Sequence, residues 1–237
     1  MDNTHEGNID VSSQEATKAV FEEALAARTA TYGFLQRLYA KEIDQEYLDH
    51  LATMRLKAST GNEKVDEAHR LFHAFMSSRW ERTLSDLAVD FTNVFIGSGK
   101  SSYSAAYPFE SVYRSEGRML MQEDRDGVLA FYRAAGLKKL DSFIDCEDHI
   151  AAELEFLRIM AQRTLESYRA DDIEETVGLL AVQQRFLREH LTVWLPHLVA
   201  DMQKFAQTDF YRFLALFSEG FIETETEFLD DILTEDS

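Results

Sequence analysis

Asp145-Cys146-Glu147-Asp148-His149-Ile150-Ala151-Ala152-Glu153-Leu154-Glu155-Phe156-Leu157 reads as the opening of a helix. Acids stand at its front, where unpaired N–H groups and the positive end of the helix dipole favour them. Behind them Ile150, Leu154, Leu157 and Ala161 recur at helical spacing as one apolar stripe. His149 and Glu153 are four apart and share a neighbouring stripe with Phe156 and Met160. The expectation is an acidic, histidine-bearing helix tip standing on a buried stem.

The rest of the chain supports an all-helical reading. Only 2 Pro and 10 Gly occur in 237 residues, which suits long helices and disfavours a loop-rich β fold. No segment alternates with period two, so no strand is expected. A capping-box pattern, Ser12-Ser13-Gln14-Glu15, follows a polar start over residues 1–11 that is expected to fray. Apolar stripes then predict helices through Phe21, Leu25, Tyr32, Leu35 and Tyr39; through Leu48 and Leu51 behind an Asp44 cap; over Glu63 to Arg79; and over Thr83 to Ile96. A short helix from Glu110 to about Gln122 and another over Arg125 to Ala135, stopped by Gly136, precede the 145–157 stretch. Residues 172–206 form a further helix with Pro196 as its kink. A phenylalanine stripe from Phe210 to Phe228 marks the last helix, and the acidic tail Glu223 to Ser237 is expected to be solvated at its end.

Gly97 to Ser104 is the only Gly/Ser-rich run. It divides the chain into an N-terminal lobe, 12–97, a hinge loop, 98–109, and a C-terminal lobe, 110–234. The fold class is therefore all-α: one globular bundle of about nine to ten helices in two lobes. Gly-Ser-Gly-Lys-Ser at 97–101 ends like a phosphate loop, but the earlier glycine, the preceding strand and the following helix are all missing.

Composition narrows the function. The single cysteine, Cys146, excludes an internal disulfide and fits a reducing cytoplasm. No apolar run approaches the roughly 20 residues of a membrane helix, and no export signal is seen at the N-terminus. Forty-three acids against 24 bases leave a net charge of −19. That disfavours nucleic acid and anionic membranes and favours a basic partner, or simply solubility. His69 with His73, and His190 with His197, have helical spacing, but no compact set supplies the three or four ligands of a zinc site. Trp80 and Trp194 are expected in the core or at its edge.

Three motifs in series carry a resemblance. They are Phe91-x-x-Val94-Phe95-Ile96-Gly97, then Tyr107-Pro108-Phe109-Glu110-Ser111-Val112-Tyr113, then the 145–149 stretch before an Ala/Glu/Leu/Phe helix. Together they resemble the TorD/DmsD-type cytoplasmic chaperones of molybdenum redox enzymes, over roughly residues 20–230. Asp145 stands where that family has Glu and Cys146 where it has Pro, which leaves the helix entry less rigid. The resemblance implies a chaperone without enzymatic activity or cofactor. It would bind the twin-arginine signal peptide of an apo-oxidoreductase catalytic subunit, assist cofactor insertion and restrain export. It would be a monomer or a homodimer, in some members domain-swapped. Guanine-nucleotide binding, suggested for some members, maps to no particular residue here.

The residues suit that role. Two guanidiniums followed by an apolar stretch call for forked carboxylate hydrogen bonds and an apolar groove. Carboxylates are plentiful at Glu110, Glu116, Asp145, Glu147, Asp148 and Glu153, and Tyr107, Phe109 and Tyr113 supply aromatic faces. The expected site is a cleft between the 97–109 loop and the 145–149 tip. Asp148 takes an arginine, His149 orients it or meets peptide backbone, and Glu110 and Tyr113 form the opposite wall. Alanine at Asp148 and His149 is expected to cut peptide affinity and leave the helical CD signal intact. The alternative is an all-α metal- or nucleotide-dependent enzyme using His149 and neighbouring acids.

Overall fold

The computed structural model describes residues 6–97, 104–115, 123–140 and 143–235. Among them are ten α-helices and two π-helical segments, with no strand. In order they are α1 Glu6–Ala40, α2 Gln45–Thr53, α3 Glu63–Ser77, α4 Thr83–Phe91, α5 Glu110–Arg114, α6 Glu123–Ala134, α7 Ile150–Arg169, α8 Ile173–Phe186, α9 Thr192–Phe205 and α10 Asp209–Glu235. The π segments, Thr92–Ile96 and Leu187–Leu191, continue α4 and join α8 to α9.

The caps are chemically plain. The Asp44 carboxylate accepts from the Tyr47 N–H, Asn62 Oδ1 from the Lys64 and Val65 N–H groups, and Asp172 from the Glu175 N–H. Gly136 closes α6 with φ at 68°, which only glycine adopts without strain. α1 packs along α7, and α3 along α10. One hydrophobic core runs from Leu25 in α1 to Leu229 in α10 and includes Phe72, Trp194, Phe210 and Phe213. Full burial of each such aromatic or Leu side chain contributes about 2 kcal/mol of transfer free energy. The core therefore draws on helices from both sides of the expected hinge, whose residues 98–103 lie outside the described residues.

Several expectations are corrected. Ser12-Ser13-Gln14-Glu15 lies inside α1, which already runs from Glu6, so the helix does not begin there. The single helix expected over 172–206 is divided by the π segment Leu187–Leu191, where the Thr192 N–H reaches back to the Leu187 carbonyl; Pro196 sits within α9. The acidic tail is helical to Glu235, and near its start Glu225 is buried against Arg28. Trp194 is fully buried, but Trp80 is 58% exposed and its indole N–H donates to Asp86. Of the short helix expected to reach Gln122, α5 ends at Arg114, and 116–122 lie outside the described residues, as does the carboxylate of Glu116.

Candidate functional site

Gly97 is the first fixed point. Its φ is 66°, and its N–H bonds back to the Thr92 carbonyl at 2.8 Å. A Cβ there would come within 2.8 Å of both Ala105 Cβ and the Ser104 carbonyl oxygen. Glycine thus lets residues 104–106 pass beneath the π turn, where the Ala106 N–H bonds to the Val94 carbonyl at 2.7 Å. The chain then reaches Pro108 and Phe109 beside the start of α7. Phe109 and His149 form an isolated antiparallel bridge. The Glu110 N–H donates to the Asp148 carbonyl at 3.0 Å, and the Ile150 N–H to the Pro108 carbonyl at 2.9 Å.

This bridge gives the 145–149 residues places that differ from the expected ones. The cap of α7 is His149, whose Nδ1 accepts from the Ala151 N–H at 3.0 Å; the preceding acids do not cap it. His149 is buried, and burial holds its pKa down at about 3, so the ring is neutral. Asp148 is completely buried and turns across the bridge to accept from the Ser111 N–H at 3.0 Å. Glu110 and Glu153 are also completely buried. Glu110 accepts from Arg114 at 2.7 Å and lies 2.9 Å from His190 Nδ1; Glu153 accepts from the Trp194 indole at 3.3 Å. Tyr113 stacks on Trp194 and donates to Asp201 at 3.3 Å. Tyr107 is half-buried, its hydroxyl 3.0 Å from Ser104 Oγ. Asp148, Glu110 and Glu153 thus form a buried carboxylate cluster behind the surface, because α5, α7 and α9 close over them.

The surface in front is a depression of about 450 Å³. Its apolar walls are Tyr39, Phe91, Phe95, Ile96, Pro108 and Phe109. Glu42, Asp145 and one side of His149 complete it, with Lys41 at the rim turned to Asp44. Glu42 is exposed and Asp145 half-buried. The structure therefore brings Phe109, Asp145 and His149 together at a surface. Glu110, Asp148 and Glu153 lie in the interior, and Tyr113 is half-buried against Trp194. Glu42 and the α4-end aromatics, which also line this depression, were not among the expected residues. Only the Phe91-to-Gly97 motif pointed near them, and nothing local marks Glu42. Phe143 packs on the far side of the His149 ring, at 5.7 Å between centroids. Beyond it lies an apolar groove of about 380 Å³ that includes Leu137, Leu140, Phe143 and Ile159.

The other candidates resolve into ordinary roles. His69 and His73 both face backbone carbonyls, of Lys57 and Leu56, and hold the segment after α2. Burial pushes the Cys146 thiol above its usual value, away from a reactive thiolate. His149 Nδ1 is taken by the helix cap, and burial keeps the ring neutral. Among the described residues no three His, Cys, Asp or Glu side chains gather as a metal site, and no helix is long and apolar enough to cross a membrane.

A TorD chaperone protein of Vibrio atlanticus is 27% identical over 220 residues, 90% of this chain and 97% of its own. One from Vibrio cholerae serotype O1 (strain M66-2) is 28% identical over 218 residues, 88% and 94%. One from Aliivibrio salmonicida is 25% identical over 209 residues, 85% and 94%. All three relatives carry the name of a chaperone and match this chain over nearly its whole length. The family model described as nitrate reductase delta subunit matches residues 60–200, more than half of the chain. The chain belongs to this family, which includes the TorD chaperones.

Proposed function

We propose that the chain is a cytoplasmic maturation chaperone that binds the twin-arginine leader of an apo molybdenum oxidoreductase and holds the catalytic subunit for cofactor insertion before export. The observation that supports this best is the depression at the Phe109–His149 bridge. It pairs an aromatic floor with two accessible carboxylates, Glu42 and Asp145, on opposite segments of chain. A guanidinium can form forked hydrogen bonds to a carboxylate while its face rests on an aromatic ring. Glu42 and Asp145 take the arginines, and Phe91, Phe95 and Phe109 carry their faces and stems. The apolar stretch that follows crosses Phe143 into the neighbouring groove. Asp148, Glu110, Glu153 and Tyr113 act from behind by holding the bridge in place, and Tyr107 holds the approach to Pro108.

The test is calorimetry with a synthetic twin-arginine leader. Glu42→Gln with Asp145→Asn is expected to weaken binding about tenfold or more, as expected for losing hydrogen bonds to charged groups. Lysines in place of both arginines are expected to weaken it similarly. Equal affinity for all pairs would remove this depression as the binding site.

A further inference from the structure

The interior behind the bridge holds more acid than base. Glu110 at the start of α5, Asp148 before α7 and Glu153 within α7 are each fully buried. Asp148 uses Oδ2 on the Ser111 N–H, and Glu153 uses Oε2 on the Trp194 indole. Their other oxygens, Asp148 Oδ1 and Glu153 Oε1, are buried without any hydrogen-bond partner. A buried ionised carboxylate with an orphaned oxygen is costly, and a neutral carboxyl is the cheaper state.

Other charged and titratable groups around Glu153 do not relieve it. From α5, Glu110 repels it and Arg114 attracts it, but Arg114 is hydrogen-bonded to Glu110 and to the Glu189 carbonyl. Asp148 repels it from the segment before α7, where His149 is neutral, Glu147 is paired with Arg125, and the Cys146 thiol stays protonated. From α6, Tyr132 spends its hydroxyl on the Glu147 carbonyl. His190 is committed to Glu110, and Asp201 of α9 to Tyr113. Burial first, then Glu110 and Asp148, push the Glu153 carboxyl well above its usual range.

We propose that Glu153 carries a proton in the closed protein, and that this proton latches the Pro108–Glu110 segment to the Asp148–Ile150 segment. With the proton in place the two bridge hydrogen bonds sit over a buried acid cluster in which Glu153 is neutral. Its loss puts a further buried charge beside Glu110 and Asp148, with Arg114 already hydrogen-bonded to Glu110, and relief comes from parting the two segments that carry Glu110 and Asp148. Those segments also carry Phe109 and His149, so the latch governs one wall of the depression whatever occupies it.

The sign follows from linkage. The closed state holds a proton that the open state releases at the ordinary value of 4.5. Opening therefore becomes easier as pH rises from there to the value at which Glu153 ionises in the closed state, and is constant above it. The experiment is amide hydrogen exchange on the full chain without peptide, from about pH 5 to 9. For the Glu110 and Ile150 amides, exchange should rise up to about tenfold per pH unit beyond the intrinsic rate within that window. Glu153→Gln should remove this excess. A wild-type profile without excess, or an equal excess in Glu153→Gln, overturns the latch. Should Glu153→Gln not fold, carboxyl ¹³C titration of the wild type decides. A Glu153 carboxyl still protonated well above 4.5 supports the latch, and one titrating at 4.5 overturns it.

Discussion

His149 shows how burial acts on a single titrating side chain. Its ring has an ordinary pKa of 6.5 and is held near 3 in the folded chain by desolvation. Below 6.5 the unfolded chain takes up this proton and the folded chain does not, so stability is lost as pH falls from 6.5 toward 3. Between pH 6.5 and 5 this one group should cost about 2 kcal/mol. Urea unfolding at pH 7 and pH 5 will measure it against His149→Asn, which can still cap the Ala151 N–H but does not titrate. Equal pH sensitivity of the two proteins would show that His149 is not buried neutral. Asp148 is treated differently from the first expectation. Its carboxylate supports the Ser111 N–H inside the bridge, so Asp148→Ala should destabilise the fold by about 2 kcal/mol, seen as a lower urea midpoint. An affinity loss in the Asp148/His149 double alanine variant would then report on folding as much as on contact. The informative charges are Glu42 and Asp145.

Helices α2, α3, α7 and α10 were legible because each carries a clean apolar stripe, and α2 also has a recognisable start at Asp44. Asp44 and Asn62 are caps of the ordinary kind, and Gly136 stops α6 as expected. The two π segments were not legible. One extra residue within a turn rotates a stripe by less than its own width, so Phe91, Val94 and Phe95 read the same with or without it. Close approaches between elements were hidden for a related reason, since they depend on the partner. Gly220 on α10 leaves room for α3: a Cβ there would lie 2.8 Å from Val65 Cγ2 and 3.0 Å from the Val65 nitrogen. Gly220→Ala should therefore lower the thermal midpoint although alanine favours helix. Gly97→Ala should cost about 2 kcal/mol or more, because strain at positive φ adds to the clash with Ser104 and Ala105. A thermal midpoint unchanged in either variant would show that the contact relaxes freely.

Across the whole bundle, α1 and α10 are tied by a buried ion pair. Arg28 Nε meets Glu225 at 2.9 Å, and Arg28 Nη2 donates to Gln183 of α8 at 2.8 Å. Glu225→Ala strands a buried guanidinium and should cost about 3–5 kcal/mol, whereas Arg28→Met with Glu225→Leu should be close to neutral. Urea midpoints of the two variants will separate these outcomes. The net charge of −19 acts at longer range. Association with an arginine-bearing leader should slow as salt rises, and dissociation should change less; stopped-flow rates at two ionic strengths will show it.

Helix content, the start of α7 and the order of the three motifs follow from local pattern alone, since spacing and caps are properties of neighbouring residues. Local pattern also marked the 107–113 and 145–149 segments, which the fold joins by the Phe109–His149 bridge. It could not say which acids would face water. Asp148 and Asp145 are three residues apart and read alike, yet one is sealed in by α5 and α9 and the other stands beside Glu42, about a hundred residues away in the chain. Burial is set by segments distant in sequence, so only their packing divides the acids at the surface from those that hold the interior together.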